Sequence, residues 1–368
     1  EQTDKKHKNL SFSLFVKNLK MLDNNFRDVQ IDLSRPEQQG WKIKFDSDDI
    51  KGVAQLTKAQ GSGNDHLQVD LEHIFISGSD TEKKNSTVAI NNLPELEVNI
   101  DKTIYKGNDL GEARLLTTNI NNGINIDELQ FKKEGFIIDA SGQWTRDDGV
   151  DRSEFIAALN SESIVNMFKT FGYDGANIED GKTTISLSAN WMDTPMNFAL
   201  EKINGKLEMD IDKGQFLDID PAAGRLFGLL ILQTLPRRLA LDFTDLFKKG
   251  FAFDSISGDF SLQQGHAYTN DLQMKGPAAD IIVSGRTGII TEDYDQIATI
   301  TPKLSNSLPV ASALFGPVGI GVGAVIYLTG ELFDSIPKNI NKILSYQYSI
   351  TGSWDNPSIE KIKDKQSG

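Results

Sequence analysis

The segment NNGINIDELQFKKEGFIIDA, residues 121–140, decides the fold class of this 368-residue chain. Its apolar residues alternate with polar ones, at Ile124 and Ile126, at Leu129 and Phe131, and at Phe136, Ile138 and Ala140. Successive side chains of a strand point to opposite faces, so a period of two predicts strands with one apolar face. The Asn121-Asn122-Gly123 sequence is typical of the turn that joins two such strands.

The same pattern continues on the N-terminal side of this segment. Apolar residues alternate over residues 67–71 and 96–100, and clusters of Gly, Asn, Asp and Ser separate the runs at 61–65, 77–80 and 107–109. Alternation with frequent turns favours antiparallel pairing with one apolar face. We therefore predict that residues 1–150 form a repetitive antiparallel β-sheet segment.

Residues 151–368 are predicted to form a second domain, in which strands alternate with a few apolar helices. The spacing of Phe155, Ile156 and Leu159 predicts a helix near 152–171 that ends before Gly172. Asp220 followed by Pro221 predicts the start of a second helix, over 221–235. A third helical region is expected near 307–343. Strands are predicted between these helices, among them 183–191 and 196–200.

An uncharged segment of twenty-seven residues, 304–330, overlaps the third predicted helical region. Its length would cross a bilayer, but Pro309, Pro317 and five glycines disfavour a single straight helix. Three interpretations stay open: a helical pair that dips into one leaflet of a membrane, a plug that closes the end of a groove, and a true membrane span. The candidate contact residues are Leu308, Val310, Leu314, Phe315, Val318, Ile320, Val322, Val325, Ile326, Leu328, Leu332 and Phe333.

Composition argues against several classes of function. The net charge of −14 disfavours nucleic acid as a partner. The absence of cysteine excludes disulfides and thiol catalysis. Residues 319–324 have the letters of a dinucleotide-binding motif, but Pro317 precedes them inside an apolar run, so close helix packing is the favoured interpretation. No other catalytic or cofactor-binding motif is recognisable, so we expect a protein that is not an enzyme and needs no cofactor or metal. Because the chain begins with Glu1 and shows no signal peptide or N-terminal anchor, we expect it to be part of a longer protein.

Several motifs occur in order along the second half of the chain. They are Trp191 with Pro195 and Phe198, Asn204-Gly205-Lys206-Leu207, Gly214-Gln215-Phe216-Leu217, the run 224–230, the run 235–243, Gly250-Phe251-Ala252-Phe253-Asp254, the run 275–279, the run 307–310, Gly316-Pro317 and Thr351-Gly352-Ser353-Trp354-Asp355. In these motifs the chain from about Asn190 to its end resembles the C-terminal region of the YhdP family of AsmA-like proteins. Residues 1–150 resemble that family only in their repetitive β character.

This resemblance implies a long curled antiparallel β-sheet that forms an apolar groove, with a few apolar helices near the C-terminus. It implies phospholipid transport between the inner and outer membranes of Gram-negative bacteria, in the periplasm. An inner-membrane anchor would lie outside this sequence, and the C-terminal helices would contact the inner leaflet of the outer membrane. Two alternatives remain, a periplasmic assembly factor for outer-membrane proteins similar to TamB, and a structural spacer.

A groove for acyl chains needs a continuous apolar strand face. The candidate groove residues are Ile138, Ala140, Ile185, Leu187, Phe198, Leu200, Leu207, Met209, Ile211, Leu241, Phe243, Ile281 and Val283. The sequence is equally compatible with an ordinary core at these positions, because lipid and side chains can cover a strand face equally well. A register shift of one residue would also invert the set.

Overall fold

The computed structural model describes residues 10–21, 24–35, 40–59, 63–77, 90, 93–171, 178–216, 251–277, 279–303 and 345–362. These residues are mostly β-strand, so the prediction of a mainly β protein is confirmed. The chain divides into two compact units. Unit 1 contains Glu1–Ser161, Lys169–Gly172 and Ser186–Ala199, and unit 2 contains Glu162–Phe168, Tyr173–Ile185 and Leu200–Gly368.

The first ten strands of the chain form most of the sheet of unit 1. They are β1 (Leu10–Met21), β2 (Asn24–Arg35), β3 (Trp41–Asp46), β4 (Ile50–Thr57), β5 (His66–Ile76), β6 (Glu95–Tyr105), β7 (Asn108–Ile120), β8 (Gly123–Lys133), β9 (Phe136–Asp147) and β10 (Val150–Ser161). Each strand pairs with the next one along the chain. Neighbours in sequence are therefore neighbours in the sheet.

The pairing of β5 with β6 corrects the prediction of a purely antiparallel segment, because these two strands are parallel. Parallel neighbours cannot be joined by a hairpin turn and need a crossover connection. Residues 77–94 provide that connection. The Ser, Gly and Asp residues at 77–80 are typical of a hairpin turn, but the same composition also occurs at the start of a longer connection.

Among the described residues of unit 1, two-residue turns join four of the antiparallel pairs. In the turns Lys106-Gly107 and Asp148-Gly149, both residues have positive φ, near 50° and 80°. Positive φ at both central positions defines the turn type whose twist matches a right-handed hairpin. These turns fix the register on either side, as the sequence pattern predicts.

The helix predicted near 152–171 is wrong over its first part. Residues Val150–Ser161 form β10, and α1 occupies only Ile164–Thr170. The apolar residues of this stretch fit a helical spacing, but Ser153, Phe155 and Leu159 also fit a period of two, and pairing with β9 selects the strand. In the part of the chain that the structure describes, α1 is the only α-helix, so the few apolar helices predicted near the C-terminus are not confirmed. The predictions at 221–235 and 307–343 lie outside the described residues.

The remaining strands follow α1. They are β11 (Ile178–Asp180), β12 (Thr183–Trp191), β13 (Asn204–Phe216), β14 (Phe251–Gln263), β15 (His266–Lys275), β16 (Ala279–Gly288), β17 (Asp293–Pro302), β18 (Tyr346–Ser353) and β19 (Pro357–Lys361). In unit 2, β13 to β19 pair antiparallel in chain order, and β11 pairs with β13. The strand predicted at 183–191 is confirmed. The strand predicted at 196–200 is wrong, because short 3₁₀ turns occupy Pro195–Asn197 and Leu200–Lys202, next to a proline that fixes φ.

The tightest packing in unit 1 lies on one face of β2 to β5. Phe26, Val29, Ile50, Leu71 and Ile74 are buried there in one cluster. Phe26 is only 1% exposed, whereas Phe15 on the neighbouring strand β1 is 66% exposed. The two phenylalanines form a matched pair for testing this core.

We expect Phe26→Ala to lower the free energy of unfolding by about 3 to 5 kcal/mol, because it removes a large buried side chain and leaves a cavity. Phe15→Ala should change it by about 0.5 kcal/mol or less, since that ring is mostly in water. Urea denaturation followed by circular dichroism measures both. Equal effects of the two substitutions would contradict the assigned burial.

An ion pair supports the hairpin of β16 and β17 in unit 2. The Arg286 guanidinium donates to both carboxylate oxygens of Asp293, over 2.9 and 2.6 Å, and Thr291 also donates to this carboxylate. The hydrogen bonds from Arg286 outweigh the effect of desolvation and lower the pKa of Asp293 to about 2, from an ordinary value of 3.8. The ionised carboxylate is thus favoured in the folded protein.

A lowered pKa in the folded state stabilises the protein above the unfolded pKa, and this contribution disappears as the pH falls from about 4 to about 2. We expect Asp293→Asn to cost about 1 kcal/mol at pH 7, since the partly exposed pair is screened by solvent. The difference between the two proteins should shrink towards zero near pH 2. Urea denaturation midpoints across this range test it, and a difference independent of pH would show that the charge is unimportant.

Candidate functional site: the apolar face of unit 1

One row of side chains crosses the whole sheet of unit 1 without a polar residue. The register aligns one residue from each of the ten strands. In order from β1 to β10, this central row is Phe12, Leu33, Ile43, Ala54, Val69, Val98, Leu115, Leu129, Ala140 and Ala157. Because cross-strand partners point to the same face, the ten side chains line one side of the sheet.

A second row lies beside the central row and is also free of polar side chains. It consists of Leu14, Ile31, Phe45, Gly52, Leu71, Ile100, Ala113, Phe131, Ile138 and Leu159. A third row, on the other side of the central row, consists of Leu10, Arg35, Trp41, Leu56, Leu67, Leu96, Thr117, Ile126, Gly142 and Phe155. The three rows together are called the apolar face below.

Three β-bulges keep the apolar residues on this face. The sequence alternation changes phase between Leu71 and Ile74, between Ile100 and Thr103, and between Ile126 and Leu129, since each pair is three residues apart. At each of these places the register shifts within the strand pairing. A bulge inserts one extra residue and so restores the phase of the alternation.

Much of the apolar face is only half-buried, and this accessible part is called the floor. Its members are apolar residues of the three rows whose exposure is intermediate: Ile31, Leu33, Trp41, Ile43, Leu56, Leu67, Val69, Leu96, Val98, Ile100, Ala113, Leu115, Leu129, Phe131, Ile138, Ala140, Phe155, Ala157 and Leu159. A contiguous accessible apolar surface of this extent is unusual in a soluble protein and indicates a binding surface.

The opposite face of the same sheet is polar. Arg114 pairs with Glu128 across β7 and β8 at 3.3 Å, and the Gln143 side chain donates to Glu154 across β9 and β10 at 2.9 Å. This face resembles ordinary protein surface, because its polar groups satisfy one another or face water. The two faces therefore have different chemistry, and only one can hold an apolar ligand.

Buried aromatic residues border the floor where β9 and β10 meet the Ser186–Ala199 segment of unit 1. Trp144 is 4% exposed, packs with Ile90 and Ile124, and donates its indole N–H to Asp151. The ring of Phe155 stacks on Trp191, with 5.5 Å between the ring centroids. These contacts hold the end of the floor in a fixed shape.

The predicted groove residues fall into five groups. Ile138 and Ala140 lie on the floor. Ile185, Leu187 and Leu207 are half-buried on other strands, while Phe198 and Leu200 lie at the short 3₁₀ turns and are 47% and 44% exposed. Met209, Ile211, Ile281 and Val283 are buried, at 6% exposure or less. Leu241 and Phe243, like all twelve predicted membrane-contact residues, lie outside the described residues.

The apolar face of unit 2 differs from the floor in its burial. Leu272, Met274, Ile281 and Val283 have no exposed surface, although they follow the same alternation. Other atoms of the chain therefore cover this face. The floor residues of unit 1 therefore keep part of their surface accessible, whereas these four residues do not.

Sequence reasoning missed most of the floor. The alternation at Leu67 and Val69, and at Leu96 and Val98, predicts strands of a sheet. It does not indicate that these residues form a binding site. One signal could have identified them. The sequence of residues 1–150 predicts alternating strands but no further apolar segment that would cover their apolar face. Trp41 and the neighbouring Arg35 carried no such signal, because their proximity depends on the strand register.

None of the helices in the described part of the chain has the length and hydrophobicity needed to cross a bilayer.

Comparison with known proteins gives a family match over almost the whole chain. The family model described as YhdP protein matches residues 3–359. A curated relative, the intermembrane phospholipid transporter YhdP of Escherichia coli strain K12, is 27% identical over 225 residues. The matched stretch covers 61% of this chain but only 17% of that protein. No solved structure matches the chain.

Single cysteines can test the accessibility of the floor, since the chain contains no cysteine of its own. We expect Leu129→Cys to react with a maleimide under native conditions, because the side chain is half-buried on the floor. Val283→Cys should react only after denaturation, because that position has no exposed surface. Ser141→Cys, at an exposed position, is the positive control. Mass spectrometry measures the labelling, and equal protection at 129 and 283 would contradict an accessible floor.

Proposed function

The chain belongs to the YhdP family, and on that premise we propose that it carries phospholipid between two membranes by holding the acyl chains on the floor of unit 1. The observation that carries the proposal is the central row, in which ten successive strands contribute ten apolar side chains and no polar one. The relative from Escherichia coli is named an intermembrane phospholipid transporter, which supports the choice of ligand.

A continuous apolar floor lowers the energetic barrier to moving a lipid through water. Exposing an acyl chain costs about 0.8 kcal/mol for each CH₂ group. A row free of polar groups lets the chain move from one strand to the next without leaving an apolar environment. With strands about 4.8 Å apart, nine spacings give a path of about 43 Å across β1 to β10.

The difference between the two faces supports a fixed orientation of the lipid. Acyl chains would lie on the floor and the polar headgroup would remain at its border, in contact with water. The charged face opposite the floor keeps the protein hydrated while the lipid is bound. Moving a lipid in this way changes no covalent bond, so the proposed function is not enzymatic.

The further parts of the proposal concern the cellular setting. The chain would act in the periplasm, as part of an assembly that is attached to the inner membrane and delivers lipid to the inner leaflet of the outer membrane. In this proposal the sheet of unit 1 forms one part of a curled apolar groove. The uncharged segment would contact the outer membrane. The family membership supports these parts of the proposal.

Lipid mass spectrometry after detergent-free purification from a Gram-negative host tests the function directly. We expect phospholipid to co-purify with the wild-type chain in stoichiometric amounts. Leu159→Asp places a charge on the floor and should reduce the bound lipid at least tenfold, because a carboxylate is costly to bury beside an acyl chain. Ile156→Asp is the matched control on the same strand, since Ile156 lies on the opposite face and is 66% exposed.

Two outcomes would contradict the proposal. If the folded wild-type protein carries no phospholipid, the floor is not a lipid site. If both aspartate variants lose lipid equally, the loss reflects general destabilisation and not the floor. Thermal unfolding of the three proteins separates the second outcome from a specific effect.

A further inference from the structure

A single charged side chain lies among the thirty positions of the three rows, and it is Arg35. It is the last residue of β2 and aligns with Leu10 on β1. Placing a cation on a face that is otherwise apolar is unfavourable unless a partner compensates for it. The contacts of the Arg35 side chain therefore indicate which class of ligand would bind there.

Trp41 holds the Arg35 side chain at the border of the floor. The central carbon of the guanidinium lies 5.5 Å from the centroid of the Trp41 ring. A guanidinium stacked on an aromatic face keeps its N–H groups free to donate at the edges. Trp41 is half-buried, and on its other side the register aligns it with Leu56.

Close backbone packing fixes the position of Trp41. The preceding residue, Gly40, has a φ of 80°, and a Cβ atom there would come within 1.9 Å of the carbonyl oxygen of Leu56. Only glycine permits this approach of β3 to β4. The position of the Trp41 ring beneath Arg35 is thus set by the backbone and does not depend on a ligand.

Two other cations near the ends of the floor strands have polar partners. Arg146 donates to both carboxylate oxygens of Asp151, and Lys133 donates to the carbonyl oxygen of Asp109. For Arg35, none of the described residues supplies a carboxylate within salt-bridge distance. Its donors face the solvent at the border of the floor, because the side chain is exposed.

We propose that Arg35, stacked on Trp41, binds the phosphate group of a phospholipid whose acyl chains lie on the floor. Arginine presents paired N–H donors that match two phosphate oxygens. Its position at the end of β2 places the phosphate at the edge of the sheet and the hydrocarbon beside Leu33 and Leu56. This inference rests on the proposed function and adds a headgroup contact to it.

Isothermal titration of the chain with soluble short-chain lipids tests the proposal. The three probes are dihexanoylphosphatidylcholine, dihexanoylglycerol, which has no phosphate, and inorganic phosphate. We expect Arg35→Gln to weaken binding of the phospholipid about tenfold, the loss typical of a charge-assisted hydrogen bond, and to leave dihexanoylglycerol binding unchanged. Arg114→Gln, on the polar face, is the matched control and should change neither affinity.

The outcomes separate this inference from the proposed function. Equal phospholipid affinity of the wild type and Arg35→Gln would overturn the headgroup contact, while the floor could still bind both lipids. Inorganic phosphate that binds as tightly as the phospholipid, and depends on Arg35, would overturn the lipid as the source of the phosphate. Failure of the wild type to bind either lipid would overturn the proposed function itself. A loss of thermal stability in Arg35→Gln without any change in lipid affinity would mark the stacked pair as structural and overturn the proposal.

Discussion

The register between neighbouring strands is the constraint on which the rest of unit 1 depends. Side chains alternate between two faces, so a shift of one residue in any strand would exchange its apolar and polar sets. The bulges near Leu71, Ile100 and Ile126 absorb each change of phase in the sequence. Tight turns such as Lys106-Gly107 then fix the next pairing. The floor is continuous because these bulges and turns act together, and no single residue accounts for it.

Burial distinguishes two uses of the same strand pattern. On the floor, Val98 and Leu115 keep part of their surface accessible, whereas Ile281 and Val283 in unit 2 have none. The alternation alone cannot separate the two cases, because it reports which residues share a face and not what covers them. An apolar face that the protein itself covers contributes to stability, and one left accessible is available for a ligand.

The mainly β fold and most of its strands were predictable from the sequence, because alternation and turn residues are local signals. Residues 183–191 were assigned correctly for this reason. The sequence predicts a helix where β10 lies, since Phe155 and Leu159 satisfy both periods and only pairing with β9 decides between them. Of the candidate site, Ile138 and Ala140 were placed on the accessible face. Its extent over β2 to β8, and the contact of Arg35 with Trp41, arise from the register of strands distant in sequence and could not be predicted.

The parallel pairing of β5 with β6 has a consequence for how unit 1 assembles. The strands before this pair, and those after it, are joined in two groups by short connections, so each group can form from residues close in sequence. Joining the groups requires closure of the longer connection over residues 77–94, which costs more chain entropy than closing a tight turn. Among the pairings from β1 to β10, that of β5 with β6 therefore carries the largest entropy cost of loop closure. The central row is continuous across ten strands only when the two groups pair in one register.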